Sequence, residues 1–388
     1  MAQNDEATTV ALVDRILTRA INEGASDIHI EPRRQRVQVR FRIDGSLVER
    51  PAFPLEYRSS VVSRLKVLAT LDIAERRLPQ DGAFRMTVGR RNVDLRISCF
   101  PTQYGEKVVL RCLFESADEL SLERLGMTPD LCARLRRLSQ RPHGIILVAG
   151  PTGSGKTSTL YGLLNDIDGR NRNIVTLEDP IEYRFSHVSQ TQIQPKIGFN
   201  FSSGLRALLR QDPDVMMVGE MRDAETADIA FKAALTGHLV LSSIHTNSAI
   251  ETFVRIFDMG LERYVVASAL EGLLAQRLVR RLCARCAQPK PVSKSDLAIF
   301  DETLQPPDQV MVPVGCEACH GIGYHGRTGI FELIEVDDEL MDLMKSETND
   351  RRELSAYLRK HKHYGLRVAG LNLVKNGITS LQEVLRVA

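Results

Sequence analysis

Through the first third of the chain, polar and apolar residues alternate over short segments, a pattern typical of strands with one buried face. The clearest segment, Val37–Ile43, ends at Asp44-Gly45, a dipeptide that favours a tight hairpin turn. Similar alternation appears at residues 92–100 and 106–114. Apolar residues at helical spacing predict helices in "ATTVALVDRILTRAINEG" and "YRSSVVSRLKVLATL". The pattern predicts an α+β domain at residues 1–120, built on a small and mostly antiparallel sheet.

A polar, acidic segment, "ESADELSLERLGM", marks a boundary near residue 120, and the pattern changes beyond it. Short continuous apolar runs now alternate with helical patterns; the runs are "GIILVAG", "NIVTLE", "DVMMVGE" and "HLVLSSIH". Buried strands separated by helices predict a parallel sheet covered on both faces. From about residue 335 the chain has the pattern of polar amphipathic helices. The second predicted domain, residues 121–388, is therefore α/β.

Composition and charge narrow the class of protein. The 388 residues carry a formal net charge of only +2, which argues against a basic nucleic-acid-binding protein. No apolar run reaches the ~18 residues that a membrane-spanning helix requires, and the start of the chain lacks the pattern of a signal peptide. We expect a cytoplasmic protein. One basic run, "RLVRRLCAR", is consistent with a solvated or subunit-contact face.

The segment "GPTGSGKT" fits the phosphate-binding pattern G-x-x-x-x-G-K-[ST] and lies between a predicted strand and a predicted helix. Its glycines let backbone N–H groups surround phosphate oxygens, and the helix N-terminus favours negative charge. We expect Lys156 to reach the β- and γ-phosphates and the Thr157 hydroxyl to bind Mg²⁺. The predicted ATP-binding residues of this loop are Gly150, Pro151, Thr152, Gly153, Ser154, Gly155, Lys156 and Thr157.

Acidic residues follow two of the predicted strands. Asp214 precedes one apolar run and Glu220 follows it, and ligands bind beyond the carboxyl ends of parallel strands. Glu220 is therefore the candidate for facing Mg²⁺ or its water shell. Glu178 and Asp179 end another run, where a carboxylate can orient or deprotonate the attacking water. A solvated loop charge is the alternative interpretation of Glu178.

Two histidines flank the apolar run "HLVLSSIH". Because the phosphates lie beyond the carboxyl ends of parallel strands, His245 is at the nucleotide end and His238 at the opposite end. We predict that His245 senses the γ-phosphate through a hydrogen bond that hydrolysis removes. His238 is predicted to cap the preceding helix or to contact a neighbouring subunit. The alternative for both is an ordinary hydrogen-bonded histidine at the edge of the core.

Four of the seven cysteines form two C-x₂-C pairs, with 29 residues between Cys286 and Cys316. Thiolates at this spacing are typical of a closed tetrahedral Zn²⁺ site, which is structural and not catalytic. The predicted ligands are Cys283, Cys286, Cys316 and Cys319, within a zinc subdomain at residues 283–325. The other three, Cys99, Cys112 and Cys132, lie in apolar patterns and are predicted to be buried.

In combination and order, these motifs resemble the superfamily of secretion and type IV pilus assembly ATPases. The segments that carry the resemblance are "ASDIHIEP", "FRIDG", "LDIAERRLPQDGAF", "QYGEKVVLR", "GPTGSGKT", "TLEDPIEY", "LRQDPDVMMVGEMRD", "TGHLVLSSIHTN", "GYHGRTGIFELI" and "GITSLQEV". The chain resembles most the type II secretion ATPase, the E protein of the general secretory pathway. The type IV pilus extension ATPases share the same motifs and are the alternative.

The resemblance implies a PAS-like first domain followed by a RecA-like ATPase domain. It also implies a homohexamer on the cytoplasmic side of the inner membrane, held there by inner-membrane components of the secretion or pilus platform. Such proteins couple ATP hydrolysis to the assembly of a pilin-like filament. By motif, Glu178 would activate water, and the histidine box would face the γ-phosphate. The arginines that would close over the phosphates or join subunits are Arg96, Arg111, Arg206, Arg210 and Arg222.

Fewer than thirty residues precede "ASDIHIEP", whereas the usual type II member carries a further N-terminal domain that docks on a membrane partner. We expect either a truncated chain or a short variant with a different attachment. Two other classes fit less well. A RecA-like nucleic-acid motor disagrees with the near-zero net charge. A zinc-stabilised scaffold with an inactive nucleotide site disagrees with the intact Lys156, Thr157, Glu178 and Glu220.

Overall fold

The computed structural model describes residues 2–89, 91–114, 120–297, 299–300, 304–346, 351–361, 363 and 365–388. The chain separates into two compact units, residues 1–116 and 117–388. Residues 115–119, in the predicted boundary segment, lie outside the described residues.

The first unit packs helices against a six-stranded antiparallel sheet. Its elements are α1 (Ala2–Asn22), β1 (Asp27–Pro32), β2 (Val37–Ile43), β3 (Ser46–Phe53), α2 (Arg58–Leu68), β4 (Gln80–Val88), β5 (Arg91–Thr102) and β6 (Gly105–Phe114). The strand order is β3-β2-β1-β6-β5-β4, and each neighbouring pair is antiparallel. Asp44 and Gly45 have φ angles of 48° and 81°, which is the backbone that the predicted hairpin turn requires.

The core of the first unit follows from the helical and strand periodicities. Val13, Leu17 and Ile21 recur every fourth residue on α1 and are fully buried. They share one apolar cluster with Leu65 of α2 and the alternating buried residues of β2. Each fully buried aliphatic side chain contributes about 1.5–3 kcal/mol, so this cluster is what holds the helices to the sheet.

The second unit is an α/β domain around a seven-stranded sheet. Its first elements are α3 (Pro129–Ser139), β7 (Gly144–Ala149), α4 (Lys156–Asp166), β8 (Ile174–Glu178), β9 (Ser189–Gln192), α5 (Phe201–Leu208), β10 (Val215–Val218), α6 (Ala224–Leu235) and β11 (Leu239–Ile244). The remaining elements are α7 (Ala249–Asp258), α8 (Arg263–Ala269), β12 (Leu270–Leu282), β13 (Gln288–Pro291), α9 (Lys294–Leu297), β14 (Gln309–Val312), β15 (Tyr324–Glu335), α10 (Asp338–Lys345), α11 (Arg351–Lys360), α12 (Gly365–Lys375) and α13 (Leu381–Val387).

The large sheet has the order β15-β12-β7-β11-β10-β8-β9. Its neighbouring pairs are parallel except β12 with β15, which is antiparallel. Alternate residues of β7 enter different apolar clusters, with Ile145 and Leu147 in one and Ile146 and Val148 in the other. Both faces of the sheet are therefore covered, which confirms the predicted α/β class and the parallel sheet.

The basic run "RLVRRLCAR" begins inside β12, a strand that the sequence pattern does not predict. Arg277 is only 8% exposed, while Arg281 is exposed. Arg280 lies 2.7 Å from a carboxylate oxygen of Glu383 on α13, and its guanidinium lies over the ring of Tyr324. Because Arg277 is buried, the interpretation of the run as a solvated face is wrong for this residue. A carboxylate and an aromatic ring of the same unit bind the partly exposed Arg280, and a subunit contact of the run remains a prediction.

Helices α10 to α13 follow the sheet, in agreement with the predicted amphipathic helices after residue 335. Leu371, Val374 and Val384 of α12 and α13 share a small apolar cluster with Val310 of β14. Within the described residues, every helix is too short or too polar to span a membrane.

Candidate active site

Four parallel strands end side by side at one edge of the large sheet. Ala149, the last residue of β7, is in register with Ile244 at the end of β11, and Val218 ends β10 between β11 and β8. Ligands of parallel α/β folds bind beyond this edge. The candidate site residues at or just after these strand ends are Gly150, His245, Glu220 and Glu178.

The phosphate loop joins β7 to α4 and has an unusual backbone. Gly153 and Gly155 have φ angles of 79° and 87°, a region that residues with a Cβ atom rarely occupy. A Cβ atom at Gly150 would collide with the Ser154 hydroxyl, whereas the space around Gly153 is open. That hydroxyl is buried and has no hydrogen-bond partner among the described residues. An open glycine face and an unsatisfied buried donor at a helix N-terminus fit a bound phosphate group. Of the other loop residues, Thr152 is exposed, and Pro151 and Thr157 are half-buried.

Lys156 opens α4, and its side chain folds back over the loop. Its ammonium group donates to the carbonyl oxygens of Gly150 at 2.8 Å and Pro151 at 3.2 Å. Burial lowers the pKa of Lys156 to about 8; the charge of Glu220 opposes this change and the charge of Arg277 adds to it. Carbonyl dipoles are weak partners for a buried ammonium, and a polyphosphate would supply a full negative charge.

Glu220, His245 and Arg222 form a hydrogen-bonded cluster beyond the ends of β10 and β11. The His245 Nε2 lies 3.0 Å from one carboxylate oxygen of Glu220, and an Arg222 nitrogen lies 2.5 Å from the other. The Glu220 side chain is 12% exposed and the His245 side chain is 44% exposed. Burial raises the pKa of Glu220, but the bonds from Arg222 and His245 outweigh it and lower that pKa overall. Glu220 is therefore ionised, and its charge reaches Lys156.

Glu178 has a different environment, a buried shell of neutral hydrogen-bond donors. The Tyr161 hydroxyl donates to one carboxylate oxygen. The Thr176 hydroxyl, at 2.5 Å, and the Gln190 amide, at 3.0 Å, donate to the other. Burial raises the pKa of this carboxyl against the opposing effect of these bonds, and the residue is only 2% exposed. A solvated loop charge is therefore the wrong interpretation, and in this conformation Glu178 is closed to water.

His238 lies at the other end of β11 from His245. Its ring Nδ1 lies 3.0 Å from the carbonyl oxygen of Ala233, and its backbone N–H donates to the same oxygen at 3.3 Å. Ala233 is in the last turn of α6, and Thr236 also donates to its carbonyl oxygen, so His238 adds to the hydrogen bonds that end the helix. The structure therefore agrees with His238 as a helix cap, and a contact of His238 with a neighbouring subunit remains a prediction.

Two of the motif arginines lie on or directly after α5. Arg206 pairs with Glu225 of α6, and Arg210 donates to the carbonyl oxygen of Arg206 at 2.9 Å. The Arg206 side chain is therefore held against α6 and that of Arg210 against α5, whereas Arg222 belongs to the Glu220 cluster. A nucleotide contact of Arg206 and Arg210 remains a prediction.

Arg96 and Arg111 face each other across β5 and β6 of the first unit. The Arg111 Nε lies 3.3 Å from a carboxylate oxygen of Asp27, and the Arg111 side chain is 68% exposed. A nucleotide role for these two arginines remains a prediction.

Three polar residues around the site are missed by sequence reasoning. Gln276 and Arg277 lie on β12 beside the phosphate loop, and Tyr161 lies on α4 against Glu178. A glutamine followed by an arginine inside the apolar segment "LEGLLAQRLV" is the signal that could have indicated the first two. Tyr161 falls on the apolar stripe of its helix, so the sequence pattern offers no comparable signal.

The four clustered cysteines converge on one point. Neighbouring sulfurs lie 3.8 Å apart for Cys283 and Cys316 and 3.7 Å apart for Cys286 and Cys319, and all four lie within 4.8 Å of one another. Sulfurs about 2.3 Å from a tetrahedral zinc lie about 3.8 Å from each other, so the arrangement is compatible with a bound Zn²⁺.

Backbone N–H groups point at the same sulfurs. Cys316 and Gly323 donate to the Cys319 thiol, and Gly315 donates to the Cys286 thiol. Burial opposes ionisation of Cys319, but hydrogen bonds from the backbone of Cys316 and Gly323 and with the thiols of Cys286 and Cys316 bring its pKa down to about 7. Burial instead raises the pKa of Cys286 to about 11. A stabilised thiolate is the form of cysteine that binds metal.

The three remaining cysteines are buried, as predicted. Burial raises the pKa of Cys99 to about 11 and that of Cys112 to about 12, and it also raises the pKa of Cys132. They behave as small apolar core residues.

Comparison with known protein families agrees with this site. A family model described as Type II/IV secretion system protein matches residues 2–386. The chain belongs to the type II/IV secretion system protein family. This confirms the sequence-based identification with the secretion ATPases.

Individual proteins of known name or structure resemble this secretion-family chain along most of its length. The Type II secretion system ATPase E of Vibrio cholerae is 48% identical over 387 residues, which are 100% of this chain and 76% of that protein. The solved structure of the pilus retraction motor PilT with bound ADP superposes with a TM-score of 0.64 at 27% identity and covers 96% of each chain. The Legionella pneumophila ATPase DotB shares the fold, with a TM-score of 0.72 at 20% identity over 97% of this chain and 95% of DotB. These relatives support ATP hydrolysis by this chain, and membership of the family implies that its ligands are ATP and Mg²⁺.

Proposed function

We propose that this chain hydrolyses ATP to power pseudopilus assembly, and with it protein export across the outer membrane, in type II secretion. The observation that carries the proposal is the convergence of the phosphate loop, Lys156, Glu220 and His245 at one edge of the parallel sheet. The high identity to a protein named Type II secretion system ATPase E supports type II secretion over pilus extension.

The machine we propose is a homohexamer peripheral to the inner membrane, held there by inner-membrane components of the secretion platform. ATP-driven closure of the two units would let Arg96 and Arg111 approach a nucleotide, either of their own subunit or of a neighbour. The pairing of these arginines on adjacent strands supports a shared role. An arginine delivered in this way contributes roughly 10³–10⁵ to the rate of phosphoryl transfer.

Gene deletion in the native host tests the choice of pathway. Type II secretion predicts that secreted enzymes disappear from the culture medium while surface pili remain. The wild-type gene should restore secretion, and Lys156→Ala should not. Loss of pili with normal secretion would contradict the proposal and favour the pilus extension alternative.

We also propose that the four-cysteine cluster holds a structural Zn²⁺. Protein purified without chelators should carry about one Zn²⁺ per chain, as measured by elemental analysis. Cys316→Ser should lose the metal and unfold at a lower temperature, because metal binding is part of the folding free energy. Cys132→Ser is the matched control, since Cys132 lies in the core of the same unit and its replacement should leave the zinc content unchanged. A zinc-free wild type would contradict this proposal.

The two histidines of β11 are predicted to respond differently to substitution. His245→Ala should bind ATP nearly normally but lose about tenfold or more in turnover, because the proposed γ-phosphate contact is gone. His238→Ala should keep its turnover and lose about 0.5–1.5 kcal/mol of stability, the usual contribution of one hydrogen bond. Nucleotide titration, steady-state kinetics and thermal unfolding of the two variants make the comparison. Wild-type turnover and wild-type ATP-over-ADP preference in His245→Ala would return His245 to an ordinary strand-end histidine.

A further inference from the structure

Gln276 carries a fully buried side-chain amide that contacts both the phosphate loop and α4, the helix that follows this loop. Its neighbour Ala275 pairs with Ala149, the last residue of β7, so β12 continues alongside the loop. The Gln276 Nε2 donates to the carbonyl oxygen of Ser154 at 2.7 Å, and its Oε1 accepts from the Thr159 hydroxyl at 2.7 Å. At 1% exposure, this amide has little access to water that could replace either partner.

The loop packs directly against this strand. A Cβ atom at Gly150 would lie 2.8 Å from the backbone oxygen of Gln276, and one at Gly155 would lie 3.2 Å from its Nε2. With so little space between them, a shift of β12 or of the Gln276 side chain would also move the phosphate loop.

Arg277, the next residue, contacts a different part of the site. Its guanidinium donates to the carbonyl oxygen of Asn247 at 2.5 Å and to that of Gln276 at 3.0 Å. Asn247 lies two residues after His245, and Glu251 accepts from its backbone N–H at 2.9 Å. Burial lowers the pKa of Arg277 and the charge of Glu251 opposes this, so the cation is held mainly by backbone carbonyls in an 8% exposed site.

Adjacent strand residues normally point to opposite faces, and here one residue binds the phosphate loop and the next binds the segment after His245. We infer that Gln276 and Arg277 are positioning residues that hold the phosphate loop and the histidine segment in register for ATP hydrolysis. Gln276 sets the loop for binding, and Arg277 sets the segment for turnover. The inference rests on the proposed nucleotide site and adds two positioning residues to it.

The test compares Gln276→Met, Arg277→Met and Arg277→Lys. Gln276→Met keeps the side-chain length and removes the amide, Arg277→Met shortens the side chain and removes the guanidinium, and Arg277→Lys keeps the positive charge on a shorter side chain. Gln276→Met should raise both the Kd of a fluorescent ADP analogue and the KM for ATP by about tenfold, the effect of one lost buried hydrogen bond. Arg277→Met should leave ADP binding within about twofold and lower kcat by about tenfold. Arg277→Lys should recover part of that kcat, because an ammonium can still donate to the Asn247 carbonyl.

Thermal unfolding of each variant shows whether it still folds, and a milder substitution at Thr159 provides a second test. Thr159→Val keeps the side-chain shape and removes only the hydroxyl that donates to the Gln276 amide oxygen. This variant should also raise the Kd for ADP, but by less than Gln276→Met does. The inference is overturned if Gln276→Met and Thr159→Val bind ADP as the wild type does. It is equally overturned if Arg277→Met loses ADP binding and kcat together, which indicates a general structural role. If the wild type itself neither binds nor hydrolyses ATP, it is the proposed function that fails.

Discussion

Lys156→Ala is expected to lower ATP turnover by about 100-fold or more. The Lys156 ammonium already lies within the phosphate loop, 2.8 Å from the Gly150 oxygen, so no large movement separates it from a bound polyphosphate. Its removal deletes the cation that the β- and γ-phosphates would otherwise contact. Phosphate release and nucleotide titration with purified protein measure the loss in turnover and in affinity.

Lys232→Ala is the matched control for this substitution. Lys232 is an exposed lysine of α6 that pairs with Asp228 in the same helix. Exposed pairs of this kind contribute little, so turnover should stay close to that of the wild type. Normal hydrolysis in Lys156→Ala would mean that the phosphate loop is not where this chain handles ATP.

Glu178→Gln is expected to bind ATP normally and to lose about 100-fold or more in turnover, because it removes the carboxylate that we propose orients the attacking water. The closed shell around Glu178 adds a structural condition. If Glu178 acts as proposed, the Tyr161 hydroxyl must leave the carboxylate before water can reach it, and α4 or the segment that carries Gln190 must move. Pre-steady-state kinetics with excess enzyme separates binding from hydrolysis in this variant.

Glu339→Gln, on the exposed surface of α10, makes the same chemical change away from the site and should be nearly neutral. If Glu178→Gln turns over at the wild-type rate, Glu220 becomes the better candidate for the base. Glu220 is an ionised carboxylate that is hydrogen-bonded to His245 and interacts electrostatically with Lys156, so it could orient or deprotonate the attacking water.

Much of the fold is readable from periodicity and turn chemistry. Alternation predicts β2, β5 and β6, and the positive φ angles of Asp44 and Gly45 follow from the hairpin dipeptide. Continuous apolar runs predict β7, β8, β10 and β11, because strands buried on both faces do not alternate. The phosphate loop is local in sequence, so its residues could be named directly.

The residues that sequence reasoning misses depend on long-range contacts. β12 carries Gln276 and Arg277 in an otherwise apolar segment, and their partners Ser154 and Asn247 are far away along the chain. The burial of Glu178 depends on Tyr161 and Gln190, which approach it only when α4 and β9 pack beside β8. The local pattern of apolar and polar residues indicates where a strand ends, but it does not indicate which distant residues bury the last side chain of that strand.

This chain is a secretion-family ATPase, and we propose that its phosphate loop hydrolyses ATP efficiently only in an assembled hexamer. The most direct measurement is ATP hydrolysis per chain in size-separated fractions of purified protein, across a range of protein concentrations and with Mg²⁺ present. We predict that activity per chain is low in the monomer and rises with the hexamer, while Lys156→Ala forms the same species without activity. Hydrolysis per chain that is constant across all assembly states, or that survives in Lys156→Ala, would contradict the account.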